Sequence, residues 1–440
     1  FIEKTLYSVN GVVQDKIRPG TYDIYVSRGL EYDLFIERNV VINAGERVQL
    51  NATLERTVDT SDYISVDFHV HSGRSLDSSM NLDDRVITGA GEGLEIIVST
   101  DHNYIADYQP AIIRNNLGDW VSSMIGVELS TLEMGHFNAF PLEYDMTSAS
   151  HFPFVDYCFE SKSYKVNSTA FDWVECVPQK LFDNLRAMGS YGEEDTLVQV
   201  NHPRDATLGY FNQYYMNPYS GEAETPTMAN YPVVEFAMTP RNNDTNQFGK
   251  DKFSFDFDVL EVWNGKHFEQ VHAFRIGEEA PQEFVDNKQD FCQDGHPNNG
   301  RGNILLKKGG YISYPGSVDD WMHLLNVGYQ FTATGNSDSH GFSAEIGTPR
   351  NFVKIDRSPN NKRRDRYPGA VHELEIIKAV REHKVFMTNG PFLTISVVDG
   401  DTVHEMGSTV LFESSQADKE ITVNLILKSA DWVDIDQIFI

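Results

Sequence analysis

The chain of 440 residues is 40% hydrophobic and 23% charged, with a formal net charge of −29; its length exceeds what one compact core serves and predicts one large domain with smaller attachments. Such acidity excludes nucleic-acid backbones and anionic bilayers as partners, since both select an excess of Lys and Arg; plain solubility, or a salty periplasmic or secreted habitat, accounts for it. No apolar run reaches bilayer length and no basic-then-apolar leader opens the sequence, so membrane insertion is not expected.

Residues 1–58 read as a fragment of a small antiparallel β-sandwich, because "GTYDIYVSRG", "LEYDLFIERNVVI" and "ERVQLNATLER" alternate apolar and polar residues between turn signals. From Ser65 the texture changes. The strand "SVDFHV" precedes a helix over "LDDRVITGAGEG", "LEIIVST" precedes a helix over "YIADYQPAIIRNN", and the strands "SMIGVELS" and "GHFNAFPL" follow. The helix "PQKLFDNLRAMG" leads into the strands "TLVQVNHP" and "FDVLEVWNG". The helix "DDWMHLLNVG" leads into "YQFTATGNSDSHG", and "AVHELEIIKAVREHK" into "VFMTNGP". Repeated β-then-α order predicts an α/β domain over 59–392, built on a parallel sheet or barrel. Residues 205–252 and 281–318, rich in Tyr, Asn, Pro or Gly, break the alternation as lids or binding loops do. Strand texture returns after Pro391, so 393–440 reads as a second small β domain, truncated, and with Phe1 as first residue both ends look cut. Cys158, Cys176 and Cys292 are odd in number and form no C-x-x-C, which indicates neither a disulfide framework nor a thiolate metal site and leaves room for one disulfide. "GAGEG" follows a helix and precedes a strand, the order of a helix C-cap and not of a phosphate cradle.

The chemistry gathers at strand ends. "SVDFHV" closes on His69 and His71, and residues two apart on an extended chain point the same way, so both imidazoles can face one ion. "LEIIVST" runs into Asp101 and His102, "SMIGVE" ends in Glu128, and "GHFNAF" opens with His136. "LVQVN" runs into His202, and "FTATGNS" into Asp338 and His340. An H-x-H alone carries little weight, but six strand ends that each supply His, Asp or Glu point to a metal site at one face of a barrel. The remaining histidines lack partner spacing and read as packing or surface residues, except His267, which with Lys266 follows "DVLEVWNG" at the same rim.

In this order the pieces "DFHVHSGRSLDSS", "STDHN", "GVELS", "GHFNAF", "VNHPR", "LEVWNG" and "TGNSDSHG" resemble the polymerase and histidinol phosphatase (PHP) superfamily. The β-rich flanks and "FMTNGPF" are similar to the branch that includes carbaryl hydrolase. The resemblance implies a distorted (β/α)7 barrel, with small β-sandwich domains at both ends, holding two to three divalent ions, Mn, Zn or Fe. It implies that His69, His71, Glu128 and Asp338 hold one ion, and that Glu128 bridges to a second on His136 and His202. Asp77, His102 and His340 would hold a third. Relatives carry histidine at the position of Asp77, and an oxygen ligand there favours a harder ion such as Mn or Mg. Asp101 would orient a ligand imidazole.

This ligand set implies a hydrolase that works through metal-activated hydroxide, acting foremost on a small phosphate ester as a phosphoesterase. Arg204 and Arg74 are candidate clamps for the anionic group, with Asn264 and Lys266 as further substrate contacts; either arginine could instead pair with carboxylates. A carboxylester or carbamate hydrolase of the same fold, and an inactive metal- or glycan-binding module, are the alternatives. An amidohydrolase barrel closes its ligand set on a lone Asp, unlike the Asp338-Ser339-His340 run.

Overall fold

The structure, a computed structural model, describes residues 2–131, 134–144, 177–205, 208–214, 216, 253–267, 302–305, 311–314, 316–342, 345–355, 371–412 and 420–438. Most of the two loop stretches expected as lids, and all three cysteines, lie outside these residues.

Two five-stranded sheets form the centre. The first is built from β3 (Tyr63–Val70), β4 (Ile96–Ser99), β5 (Ser122–Ile125), β13 (Arg350–Lys354) and β14 (Val385–Thr388), in the order β14-β13-β3-β4-β5. The second holds β6 (Val127–Ser130), β7 (His136–Phe140), β8 (Leu197–Val200), β9 (Val259–Asn264) and β12 (Thr332–Asn336), in the order β12-β9-β8-β7-β6. Isolated bridges between Val70 and Ser339 and between His102 and Glu128 link the two sheets. The described residues thus give a mixed α/β arrangement of two sheets, not one continuous closed barrel.

Nor are all the strands parallel, as the β-then-α reading predicted. β7 pairs antiparallel with β6 and with β8; for β6 and β7 the link between Ser130 and His136 is too short for a crossover, which needs about a dozen residues. β13, unread in the sequence, pairs antiparallel with β3 and β14; Arg350, Asn351 and Lys354 hide its period-two pattern.

The helices follow their local signals. α1 (Leu82–Gly91) is capped by Asn81, whose side chain accepts from Asp84 N at 2.9 Å, and ends before Gly93 at φ +74°. α2 (Gln109–Arg114) and α3 (Pro178–Arg186) open with proline in the first turn. α4 (Tyr210–Gln213) is a single turn, and α5 (Ser317–Asn326) precedes β12. α6 (Glu373–Arg381) starts with Glu373 and Glu375 and ends with Lys378 and Arg381, matching its dipole.

Ile64, Val66 and Phe68 of β3 meet Phe140, Leu197 and Val259 of the second sheet in one buried cluster, with Phe68 and Phe140 stacked at 5.1 Å. Each such side chain contributes about 2 kcal/mol through burial. β3 is buried along its whole length, as expected of a strand covered on both faces.

At the chain ends, β1 (Gly20–Val26) pairs with β2 (Phe35–Ile42), and β15 (Phe392–Asp399) lies between β16 (Thr402–Glu405) and β17 (Thr422–Lys428). "ERVQLNATLER" forms no strand; only Arg56 bridges, to Tyr32. β10 (Gly302–Leu305) and β11 (Tyr311–Tyr314) make a separate two-stranded hairpin sheet.

Candidate metal centre

The strand ends bring the expected residues to one place. His69 lies in β3 and His71 just past it, and both rings are fully buried. The backbone secures them to the end of β12: Asp338 N donates to His69 O at 2.9 Å, and His71 N to Ser339 O at 3.1 Å. His102 follows β4 and is bridged to Glu128 in β6. His136 opens β7 after Gly135 at φ +103°, where a Cβ would come within 2.6 Å of Tyr210 N, so only glycine fits. His202 and Asp338 take positive φ values of +26° and +49°, strained for non-glycine residues and common where a site dictates the backbone.

Glu128 is the hub. Its Oε1 lies 3.3 Å from His69 Nε2, 3.1 Å from His136 Nδ1 and 3.5 Å from His202 Nε2. Its Oε2 lies 3.3 Å from His71 Nε2 and 2.7 Å from His102 Nδ1. Asp338 Oδ1 lies 3.5, 3.1 and 3.3 Å from nitrogens of His69, His71 and His340. Half-exposed Asp77 reaches His340 Nε2 at 3.1 Å and His102 Nε2 at 3.5 Å. Three overlapping groups have ligand atoms close enough to share an ion: His69, His71 and Glu128; His102, Glu128 and His136; His71, His102 and His340. His102 is therefore closer to the hub than its expected place beside Asp77 and His340 alone.

The donor chemistry fits divalent cations. Buried His69 Nε2, His71 Nε2 and Glu128 Oε2 crowd one another and their neighbours yet make no well-aligned hydrogen bond among the described residues, and a buried polar atom left so costs about 1–3 kcal/mol. Imidazole nitrogens interleaved with carboxylates are what borderline transition ions select.

Electrostatics follow from the same crowding. Burial would lower the pKa of His69, but Asp338, Glu261 and Glu128 around it raise it well above the usual imidazole range. His102 is likewise lifted, against burial, to about 10 by Glu128 and Asp77. Burial dominates at His71, helped by His102 and His340, and at His136, which falls to about 4. Glu128 is held well below the carboxylate range because His102, His69 and His136 outweigh its burial.

A buried polar frame holds the cluster, and much of it was not foreseen. Glu261 in β9 accepts from His69 Nδ1 at 2.9 Å, from Asn336 Nδ2 at 2.9 Å and from His202 N at 2.8 Å. The available signal was a charged residue inside the apolar run "VLEVW". Asn201 Nδ2 donates to Glu128 Oε1 at 2.9 Å. Asp101 acts through hydroxyls: it accepts from Ser72 and Ser75, and Ser75 Oγ lies 2.9 Å from His71 Nδ1.

The expected substrate contacts divide. Arg204, only 4% exposed, forms a bidentate pair with Asp320 at 2.7 and 2.6 Å and donates to Met216 O. Its guanidinium is thus committed to a buried ion pair. Asn264 is also committed, its Nδ2 donating to Glu261 at 2.9 Å and to Asp338 Oδ2 at 3.1 Å. Lys266, its side chain 47% exposed, keeps its ammonium 3.4 Å from His340 Nδ1. Exposed Arg74 stacks over Tyr104 at 5.4 Å. His267 packs beside His202, with its Nδ1 3.5 Å from Asp205.

Fold and site together define a mixed α/β protein with a buried histidine–carboxylate centre able to hold metal ions. Among solved structures the chain is similar to a two-domain protein from Bacteroides vulgatus ATCC 8482 that contains a predicted PHP-like metal-dependent phosphoesterase. The identity is 15% and the TM-score 0.33, over 79% of this chain and 70% of that one. No protein-family model and no curated protein matches the chain.

Proposed function

We propose that the protein is a metal-dependent hydrolase of the PHP type, a phosphoesterase acting on a small phosphate ester. The observation that carries this reading is the convergence of six imidazoles on Glu128 and Asp338, several of whose buried atoms make no well-aligned hydrogen bond among the described residues. His69, His71, Glu128 and Asp338 would hold one ion, and His136 and His202, sharing Glu128, a second. Asp77, His102 and His340 are the remaining set. The proposed domains are a β unit over 1–58, a PHP-type barrel over 59–392 and a β unit over 393–440.

Bound divalent cations supply Lewis acidity toward an ester oxygen and bring the pKa of water toward about 7. The chain's own contribution is to exclude solvent from the cluster, fix the imidazoles through Glu261 and Ser75, and set charge at the rim. Among the described residues, Lys266, whose ammonium also lies 4.0 Å from Asp77, and Arg74 in the loop after β3 are the cations that could meet an anionic substrate.

The commitment of Arg204 to Asp320 favours keeping one second reading, a carboxylester or carbamate hydrolase of the carbaryl hydrolase branch, which needs fewer cations. Turnover of nitrophenyl phosphate and its diester against nitrophenyl acetate tests the choice, using protein loaded with Mn or Zn. Faster phosphoester cleavage, weakened by Lys266→Ala, supports the phosphoesterase. Faster acetate cleavage indifferent to Lys266→Ala supports the alternative, and a chain that takes up no metal refutes both.

A further inference from the structure

α1 carries a buried charge that the cluster does not explain. Arg85 is fully buried, and a guanidinium is almost never so without a carboxylate partner. It makes no ion pair among the described residues. Both terminal nitrogens go instead to one serine, Nη1 to Ser339 Oγ at 2.8 Å and Nη2 to Ser339 O at 2.9 Å, while Nε has no partner among the described residues. Burial presses the guanidinium toward neutrality, and Tyr108, Asp101 and Asp67 oppose that.

Ser339 is the residue between Asp338 and His340. Its carbonyl also accepts from His71 N, so three candidate ligands depend on where it sits. Asp338 holds a left-handed φ of +49°, uncommon outside glycine although Asp is among the residues that tolerate it. On the far side, Ser78 Oγ donates to His340 O at 2.7 Å. A planar fork can take a hydroxyl and a carbonyl of one residue together; a lysine ammonium meets them only as a point charge.

We infer that Arg85 is a positioning residue for the centre: by gripping the hydroxyl and carbonyl of Ser339 it fixes a turn from which Asp338 and His340 both face the cluster. The inference rests on the reading of the cluster as a metal centre. It requires that Arg85 act on metal affinity and not only on stability.

Calorimetric titration of Mn and of Zn into the chelator-treated full chain tests it, with melting temperature and near-ultraviolet circular dichroism as checks on the fold. Arg85→Met should weaken binding by about tenfold to a hundredfold, the usual effect of losing a residue that orients ligands, in a protein with native dichroism. Arg85→Lys should recover part of the loss. Should Arg85→Met fail to fold, Arg85→Lys and Ser339→Ala carry the test, each expected to weaken binding severalfold. Folded variants that lose melting temperature but bind both metals within twofold of the parent would overturn the inference. A parent chain that takes up neither metal would overturn the metal reading itself, and the inference with it.

Discussion

His69 Nδ1 donates to Glu261 Oε1 over 2.9 Å, which turns Nε2 of the same ring toward Glu128 and Asp338. A carboxylate behind a ligand imidazole fixes its tautomer and raises its basicity. Glu261→Gln keeps the shape and loses the charge, so metal affinity should drop by about tenfold or more. Titration calorimetry on folded protein measures this; an unchanged affinity would show that Glu261 only fills space.

Glu128 should be the most sensitive position. Its two oxygens face five imidazoles, and no neutral group replaces the charge that offsets repulsion between adjacent cations. Glu128→Gln should fold, lose at least one equivalent of metal by elemental analysis, and lose turnover by a factor on the order of hundreds. His102→Ala should do less. Full metal and near-native rate in Glu128→Gln would refute a shared site.

Arg204 gives a different outcome from the one its position after His202 suggests. Removing it strands the buried carboxylate of Asp320, at a cost of about 3–5 kcal/mol. Arg204→Ala should therefore melt markedly lower and slow every substrate alike, whereas the double change Arg204→Met with Asp320→Leu should restore most of the stability. A selective loss on anionic substrates at unchanged melting temperature would return Arg204 to the role of clamp.

Asp67 predicts a pH dependence. Burial raises its pKa from 3.8 to about 6, against hydrogen bonds from Ser337, His69 and Gly347. Because the folded state keeps this proton where the unfolded state has lost it, stability falls as pH rises from about 4 to 6 and then levels, by about 3 kcal/mol for this group alone. Glu128 and Asp338, with lowered values, act in the opposite direction. Subtracting the urea stability curve of Asp67→Asn from that of the parent at pH 4 to 7 isolates the term. A difference that does not change with pH would sink it.

The cluster residues were legible because a polar residue just past a run of buried apolar ones has few reasons to be there: His71, His102, His202 and Asp338 all follow that rule. Glu261 broke it by lying inside β9, where sequence alone cannot tell a buried hydrogen-bonded carboxylate from an exposed one. The pairing of Arg204 with Asp320 was not legible because sequence neighbourhood does not reveal which way a side chain turns, and Asp320 approaches from a distant helix. The sheet arrangement was half legible. The β-then-α rhythm marks the parallel pairs β3–β4, β8–β9 and β9–β12, but the short β6–β7 link, the β7–β8 pair and β13 bring antiparallel neighbours that periodicity does not encode.

The bridges Val70–Ser339 and His102–Glu128 have a thermodynamic consequence. They join the two sheets at the strand ends that carry the candidate ligands, with His69, His71 and His102 contributed by one sheet and Glu128, His136, His202 and Asp338 by the other. Any ion held there is a rivet between halves of the molecule, so stability becomes a function of free metal concentration, growing with its logarithm once that concentration exceeds the dissociation constant. Chelation should then speed amide exchange at the ends of both sheets together, and the protein's melting point should report the metal level of its surroundings.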